Sequence, residues 1–153
     1  DSVRGAGLTF QSLFFVGRVR GFPVAREGAQ KFKEISYRHA EAYQTSELKH
    51  GPLALIAPEV PTVAIVPDDE LTGRNVAALH EIAALRGPLV VVTHEGVDLG
   101  EVDAERVVVP KNERELDPIL LTVPLQLLAY HAALALGHDI DKPRNLAKSV
   151  TVE

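Results

Sequence analysis

Residues 62–93 read TVAIVPDDELTGRNVAALHEIAALRGPLVVVT, and this stretch decides the fold. Thr62-Val-Ala-Ile-Val66 and Leu89-Val-Val-Val-Thr93 are short β-branched runs without polar alternation, as expected of strands buried on both faces. Between them, Asp69–Leu85 has helical spacing, and Pro67 and Gly87 punctuate the two junctions. A strand, a helix and a second strand in this order predict a parallel pair joined by a crossover.

Working outward, Leu13-Phe-Phe-Val16 and Arg106-Val-Val-Val109 read as further buried strands. Val24–Tyr43 and Pro118–Leu136 read as further helices. The expected fold is therefore α/β, a mainly parallel sheet between helical layers, and no linker or internal repeat divides the chain. Such sheets bind ligands beyond the carboxyl ends of their strands, which directs attention to the segments after Val16, Val66 and Thr93. Residues 140–153 are polar, interrupted by proline and without a periodic apolar face, so they read as an irregular tail.

Composition narrows the chemistry. The 153 residues suffice for one domain that buries roughly two-thirds of its unfolded surface without staples. Zero cysteines exclude a disulfide framework, a thiolate zinc site and a cysteine nucleophile. A net charge of -5 argues against a nucleic-acid surface, which needs clustered cations, and favours small-molecule partners. No apolar run approaches the roughly 20 residues that cross a bilayer, and the start lacks a signal-peptide core, so a cytoplasmic protein is expected. The sequence contains no methionine, so residue 1 is not a retained translational start and the chain is expected to be a piece of a longer one.

On a helical wheel Glu27, Lys31 and Glu34 fall within about 60° of one another, beside an apolar band of Val24, Gly28, Phe32, Ile35 and Tyr43. Spacing alone favours an ion-pair ladder worth about 0.3–0.5 kcal/mol per pair. The functional alternative is a carboxylate at a partly dry boundary that shuttles a proton. His50 precedes Gly51-Pro52, which places it on a turn. An imidazole there suits general acid/base work, against the plainer reading of a surface histidine. His39, His80, His94, His131 and His138 read as structural or solvent-facing. His80-Glu-Ile-Ala-Ala84 lacks the second histidine of a zinc-protease helix, and neither a Walker A loop, a GxSxG elbow nor a complete dinucleotide fingerprint occurs. No metal or cofactor is called for.

Several longer segments resemble the terminal region of glucosamine-6-phosphate synthases. These are Lys33-Glu-Ile-Ser-Tyr37, His39-Ala-Glu-Ala-Tyr43, Glu47-Leu-Lys-His-Gly-Pro-Leu-Ala-Leu55, Val123-Pro-Leu-Gln-Leu-Leu-Ala-Tyr-His131 and the ending Asp141-Lys-Pro-Arg-Asn-Leu-Ala-Lys-Ser-Val-Thr-Val-Glu153. The likeness runs from about Leu13 to Glu153. It implies the second of two tandem sugar-isomerase (SIS) subdomains, a three-layer αβα sandwich of flavodoxin-like order, in a chain that also carries a glutaminase and makes glucosamine 6-phosphate from fructose 6-phosphate and glutamine. It divides the chain into a lead-in at 1–12, the SIS subdomain at 13–139 and a closing tail at 140–153.

By the same resemblance Glu34 moves a proton between C1 and C2 of the open-chain imine, while Glu27 and Lys31 orient it and the O1 and O5 oxygens. His50 is implied as the ring-opening acid/base, entering the active site of a partner subunit in a homodimer. Lys148 is implied to hold the sugar as a Schiff base with its carbonyl, with Ala147 beside it in substrate binding. The Ser/Thr-rich phosphate loop of the family belongs to the first SIS subdomain, and Asp1–Ser12 does not supply it. Arg26 stands where the family more often has leucine. The rival readings are a non-catalytic SIS module that binds a sugar phosphate, against which the joint presence of Glu34, His50 and Lys148 argues, and a dimerisation piece.

Overall fold

The computed structural model describes residues 10–146. In chain order these form β1 (Ser12–Gly17), α1 (Gly21–Ser36), β2 (His39–Gln44), two 3-10 turns (Leu48–His50 and Pro52–Leu55), β3 (Thr62–Val66), α2 (Thr72–Ala84), β4 (Leu89–His94), β5 (Glu105–Val109) and α3 (Asp117–Ala135). All neighbouring strands pair in parallel, in the order β2-β1-β3-β4-β5. The chain begins in mid-sheet, steps one way to β2 and then the other way to β3. The sheet's topological switch point therefore lies between β1 and β3.

Alternation along the strands builds two cores. Leu13, Phe15, Val63, Ile65 and Val92 face α1 and α3, meeting Val24, Ala29, Phe32, Leu121, Leu125 and Ala129. Phe14, Val16, Ala64, Val66 and Val91 face the other way, against Leu79 and Ile82 of α2 and Leu48, Leu99 and Val102 from the connections. The three-layer αβα architecture expected from the sequence is the one observed.

Two local expectations are corrected. The helix expected over Val24–Tyr43 stops at Ser36, and His39–Gln44 is the edge strand β2. Ser36 Oγ turns back to donate to Phe32 O at 2.6 Å and accepts the amide of Arg38, while Tyr37 takes a left-handed backbone (φ 57°, ψ 19°). Together they unwind the chain before Ala40, Glu41 and Ala42 can continue helical spacing. Those residues favour helix in isolation, but six paired positions along β1 outweigh so weak a preference. Tyr43, expected on the apolar band of the first helix, instead sets its ring edge-on to Phe14 on the opposite face of the sheet, 5.5 Å between centroids.

The second correction concerns β5. Arg106, Val107 and Val108 are exposed, although a strand buried on both faces was expected there. As the last strand of the sheet it has one paired edge, and helix covers it incompletely.

Close packing of α1 depends on Gly28. A Cβ at that position would stand 2.7 Å from Leu125 Cδ1 and 2.9 Å from two ring carbons of Phe15. Gly28→Val should therefore lower the unfolding free energy by about 1–3 kcal/mol through overpacking. The expected reading is a lower urea midpoint at an unchanged denaturant slope, and an unshifted midpoint would show that α1 and α3 separate freely.

Candidate functional site

On α1, Lys31 Nζ donates to Glu34 Oε2 at 3.0 Å and lies 3.8 Å from Glu27 Oε1. Gln30 Nε2 donates to the other oxygen, Glu34 Oε1, at 2.9 Å. The three residues picked out by spacing are thus in contact, with Gln30 as a fourth member that the wheel did not single out. Partial burial pushes the Glu34 carboxyl up, but the Gln30 amide and the Lys31 ammonium outweigh it and hold it below the usual carboxylate range. The hydrogen bond to Glu34 raises Lys31, against opposition from burial and with help from both carboxylates. At neutral pH the Lys31–Glu34 pair is therefore ionised.

Glu34 also lines an open groove of about 540 Å³ with Gln30, Lys33, Tyr37, Arg38, His39 and the stretch Arg144–Leu146. The chain returns to this place after α3 because Tyr37 fastens it there. Tyr37 accepts the backbone amide of Arg144 at its hydroxyl (3.0 Å), stacks against His138 (4.5 Å between ring centroids) and lies under the Arg144 guanidinium (4.2 Å). Ala147 and Lys148 lie outside the described residues.

His50 ends the first 3-10 turn and is exposed. It follows the carboxyl end of β2, whereas Glu34 sits in the last turn of α1, just before the amino end of the same strand. A six-residue strand of about 17–20 Å separates the two positions. The structure brings Glu27, Lys31 and Glu34 together and does not bring His50 to them within one chain.

The carboxyl ends of the strands, where ligands were sought, hold a different constellation. Arg20, at the start of α1, donates from Nη1 to Asp117 Oδ2 (3.3 Å) and Arg114 O (3.1 Å), and from Nη2 to Asp69 Oδ2 (3.5 Å). Asp117 Oδ1 lies 3.2 Å from Nε2 of His94, which is 2% exposed, in a bent geometry that falls short of a hydrogen bond. The Asp68 amide donates to His94 Nδ1 at 3.0 Å, which assigns the remaining ring proton to Nε2. Lys111 Nζ pairs with Asp68 Oδ2 at 2.6 Å and holds that carboxyl below its ordinary range, and Arg114 pairs with Glu70.

Asp68, Asp69, His94, Lys111, Arg114 and Asp117 line a cavity of about 210 Å³. Its cations are engaged by its own carboxylates, and among the described residues no group of histidines and acids has the arrangement of a metal site. Sequence reasoning missed this cluster because Arg20, Asp69 and Asp117 are isolated in sequence. The available signal was position: Arg20 and Asp69 each follow a strand of the parallel sheet by three residues, and Asp117 opens the helix after β5.

The SIS domain family profile matches residues 11–136. The chain is 52% identical over 139 residues to the glutamine–fructose-6-phosphate aminotransferase (isomerizing) of Legionella pneumophila strain Lens, covering 91% of this chain and 23% of that protein. It is 53% identical over 140 residues to the aminotransferase of the same name from Pseudomonas aeruginosa, with the same coverage. Among solved structures, the C-terminal domain of glucosamine-fructose-6-phosphate aminotransferase from Francisella tularensis superposes with a TM-score of 0.85 at 41% identity, over 88% of this chain and 38% of that one. Glucosamine-6-phosphate deaminase from Thermotoga maritima superposes with a TM-score of 0.75 at 27% identity, over 98% and 44%. The chain spans about a quarter of the length of the curated relatives it matches.

Two measurements test these contacts. Because the folded-state pKa of Glu34 is depressed, its stabilisation is present above the ordinary carboxylate pKa of about 4.3 and is lost as pH falls through the folded value. Glu34→Gln should therefore flatten the dependence of unfolding free energy on pH between about pH 3 and 5. An acid limb as steep as that of the parent chain would show that the ladder is loose in solution. Asp117→Ala strips a buried partner from both Arg20 and His94 and should cost about 3 kcal/mol or more in urea unfolding. A loss within about 0.5 kcal/mol would mean that water replaces the carboxylate.

Proposed function

This chain belongs to the SIS domain family, and from that premise we propose that it is the C-terminal half of the isomerase region of a glutamine–fructose-6-phosphate aminotransferase. In this reading it helps convert fructose 6-phosphate and glutamine-derived ammonia into glucosamine 6-phosphate in the cytoplasm. The observation that carries the proposal is the groove lined by both Glu34 and Arg144–Leu146. The residue sequence brings Lys148 two positions after the last of these.

Each step assigns one group to one atom. His50, supplied by a partner subunit, gives a proton to the ring oxygen and takes one from the anomeric hydroxyl, which opens the sugar. The separation of His50 from Glu34 within one chain supports an intersubunit site. Lys148 in its amine form attacks the C2 carbonyl and expels water to form the imine, beside Ala147, and ammonia then displaces the lysine by transimination. Glu34 takes the proton from C1 and returns it to C2, so that the ketose imine becomes the 2-amino aldose. A single carboxylate reaches both adjacent carbons. Lys31 and Glu27 orient Glu34 and the O1 and O5 oxygens.

The ionised pair of Lys31 and Glu34 defines the resting state of this apparatus. Glu34 is already a carboxylate with one donor on each oxygen, which leaves a second lone pair on each to take a proton from the sugar. The tail at 140–153, following the SIS subdomain at 13–139 and the lead-in at 1–12, closes over the imine and keeps water from it. Phosphate recognition falls to the first SIS subdomain of the complete polypeptide.

In the complete enzyme, Glu34→Gln should abolish formation of glucosamine 6-phosphate while glutamine hydrolysis remains measurable. An unchanged synthase rate would reduce Glu34 to a rung of a surface ladder.

A further inference from the structure

Glu34 is held by two donors of different kinds, one on each carboxylate oxygen. Lys31 Nζ meets Oε2 at 3.0 Å with a full positive charge, and Gln30 Nε2 meets Oε1 at 2.9 Å with none. A carboxylate only accepts, which turns the amide nitrogen of Gln30, rather than its oxygen, toward Glu34. Of the two donors, Gln30 alone belongs to the lining of the groove that Glu34 shares with Tyr37 and Arg144–Leu146. The charged contact thus stands outside the groove wall, and the neutral one is part of it.

Gln30 is exposed and lies four residues before Glu34 on α1. A side-chain pair at that spacing stabilises a helix by about 0.2–0.5 kcal/mol, which alone would make Gln30 a surface support. The unequal treatment of the two oxygens calls for more. An ammonium weakens the basicity of the oxygen it touches, because cation and proton compete for the same negative charge. A neutral amide fixes an oxygen without occupying that charge. A protonated carboxyl oxygen also keeps a lone pair, so the Gln30 N–H has an acceptor both before and after a proton arrives.

We infer that Oε1 is the oxygen of Glu34 that carries the proton between C1 and C2, and that Gln30 is the positioning residue that aims it while Lys31 anchors Oε2. These roles rest on the aminotransferase reading and add to it the working atom and its guide. As Oε1 takes the C1 proton, the C–H electron pair becomes the C1=C2 bond and the π pair of the protonated imine settles on nitrogen. The same oxygen then delivers its proton to C2. At that moment O1 releases its own proton to water, C1 becomes the aldehyde and the nitrogen remains as an amine. The other ionisable side chains along the groove are Lys33, Tyr37, Arg38, His39 and Arg144, and Glu27 faces Lys31 from the same helix. All of them are retained in the variants that follow, so a difference from the parent reports on Glu34.

In the complete enzyme, Gln30→Leu keeps a good helix former and removes the donor. It should lower kcat for glucosamine 6-phosphate formation about fivefold while KM for fructose 6-phosphate stays within about twofold, as for a contact that acts in the transition state. The isotope effect measured with fructose 6-phosphate deuterated at C1 should equal or exceed that of the parent, because the slowed step is C1–H cleavage. Gln30→Glu, of the same size, sets a second carboxylate against Oε1. Like charges there raise the pKa of the pair, so the acid limb of its pH–rate profile should lie at higher pH than the parent's. A helix support alone would move the urea midpoint and none of these readings. Parental kcat in Gln30→Leu, a change confined to KM, a smaller isotope effect, or coincident acid limbs in Gln30→Glu and the parent would each overturn the role of Gln30. Synthesis that survives Glu34→Gln would sink the aminotransferase reading and this role together. Synthesis lost in Glu34→Gln beside unaltered Gln30 variants would sink the role alone.

Discussion

The arrangement depends first on a problem of charge at the carboxyl ends of the strands. A parallel sheet sends every connection out at the same end, and here those connections begin with Arg20, Asp68, Asp69, His94 and Lys111, with Asp117 at the next helix start. Left unpaired and half-buried, such groups would open the sheet to water. The guanidinium of Arg20 resolves this by spanning the switch point, with its two terminal nitrogens directed to three acceptors on the β3–α2 and β5–α3 connections. Lysine offers one point charge and could not span them in that geometry. The bridge fixes the first turn of α1 against the first turn of α3, and the tight approach at Gly28 follows from there.

This arrangement also explains why the place that an α/β sheet usually offers to a ligand is not where the proposed chemistry lies. Each cation in the crevice is engaged by a carboxylate of the same chain, so an incoming anion would have to compete with an internal partner. The groove that remains open lies at the other end of α1, where Glu34 meets the returning chain. One helix thus has an end fixed by the Arg20 bridge and an end that lines the open groove, and the ladder of Glu27, Lys31 and Glu34 leads to the second.

Much of this was legible in the residues. The β-branched runs located four of the five strands, three of them through burial on both faces and β5 through valines of the same kind at an exposed edge, and the spacing of Glu27, Lys31 and Glu34 placed them on one flank. What escaped was set by contacts distant in sequence. β2 is His39-Ala-Glu-Ala-Tyr-Gln44, in which only Tyr43 has a marked strand preference, and it exists because β1 offers an unpaired edge. Edge position likewise explains β5, whose valines look like core and are not. The Arg20 cluster joins residues up to 97 apart in sequence, beyond any local pattern. The resemblance to the synthases named Lys148 and His50, but the geometry within one chain bears on neither as it bears on Glu34.

Tyr37 shows how one residue can serve two ends of the chain. A left-handed backbone costs a residue with a β-carbon roughly 1–2 kcal/mol, and glycine would stop the helix more cheaply. The ring accounts for the preference, since it is the post to which residues 138 and 144 are moored. The last turn that carries Glu34 and the segment that leads toward Lys148 therefore pivot on a common pin, and a displacement of either strand of that joint is felt by the other.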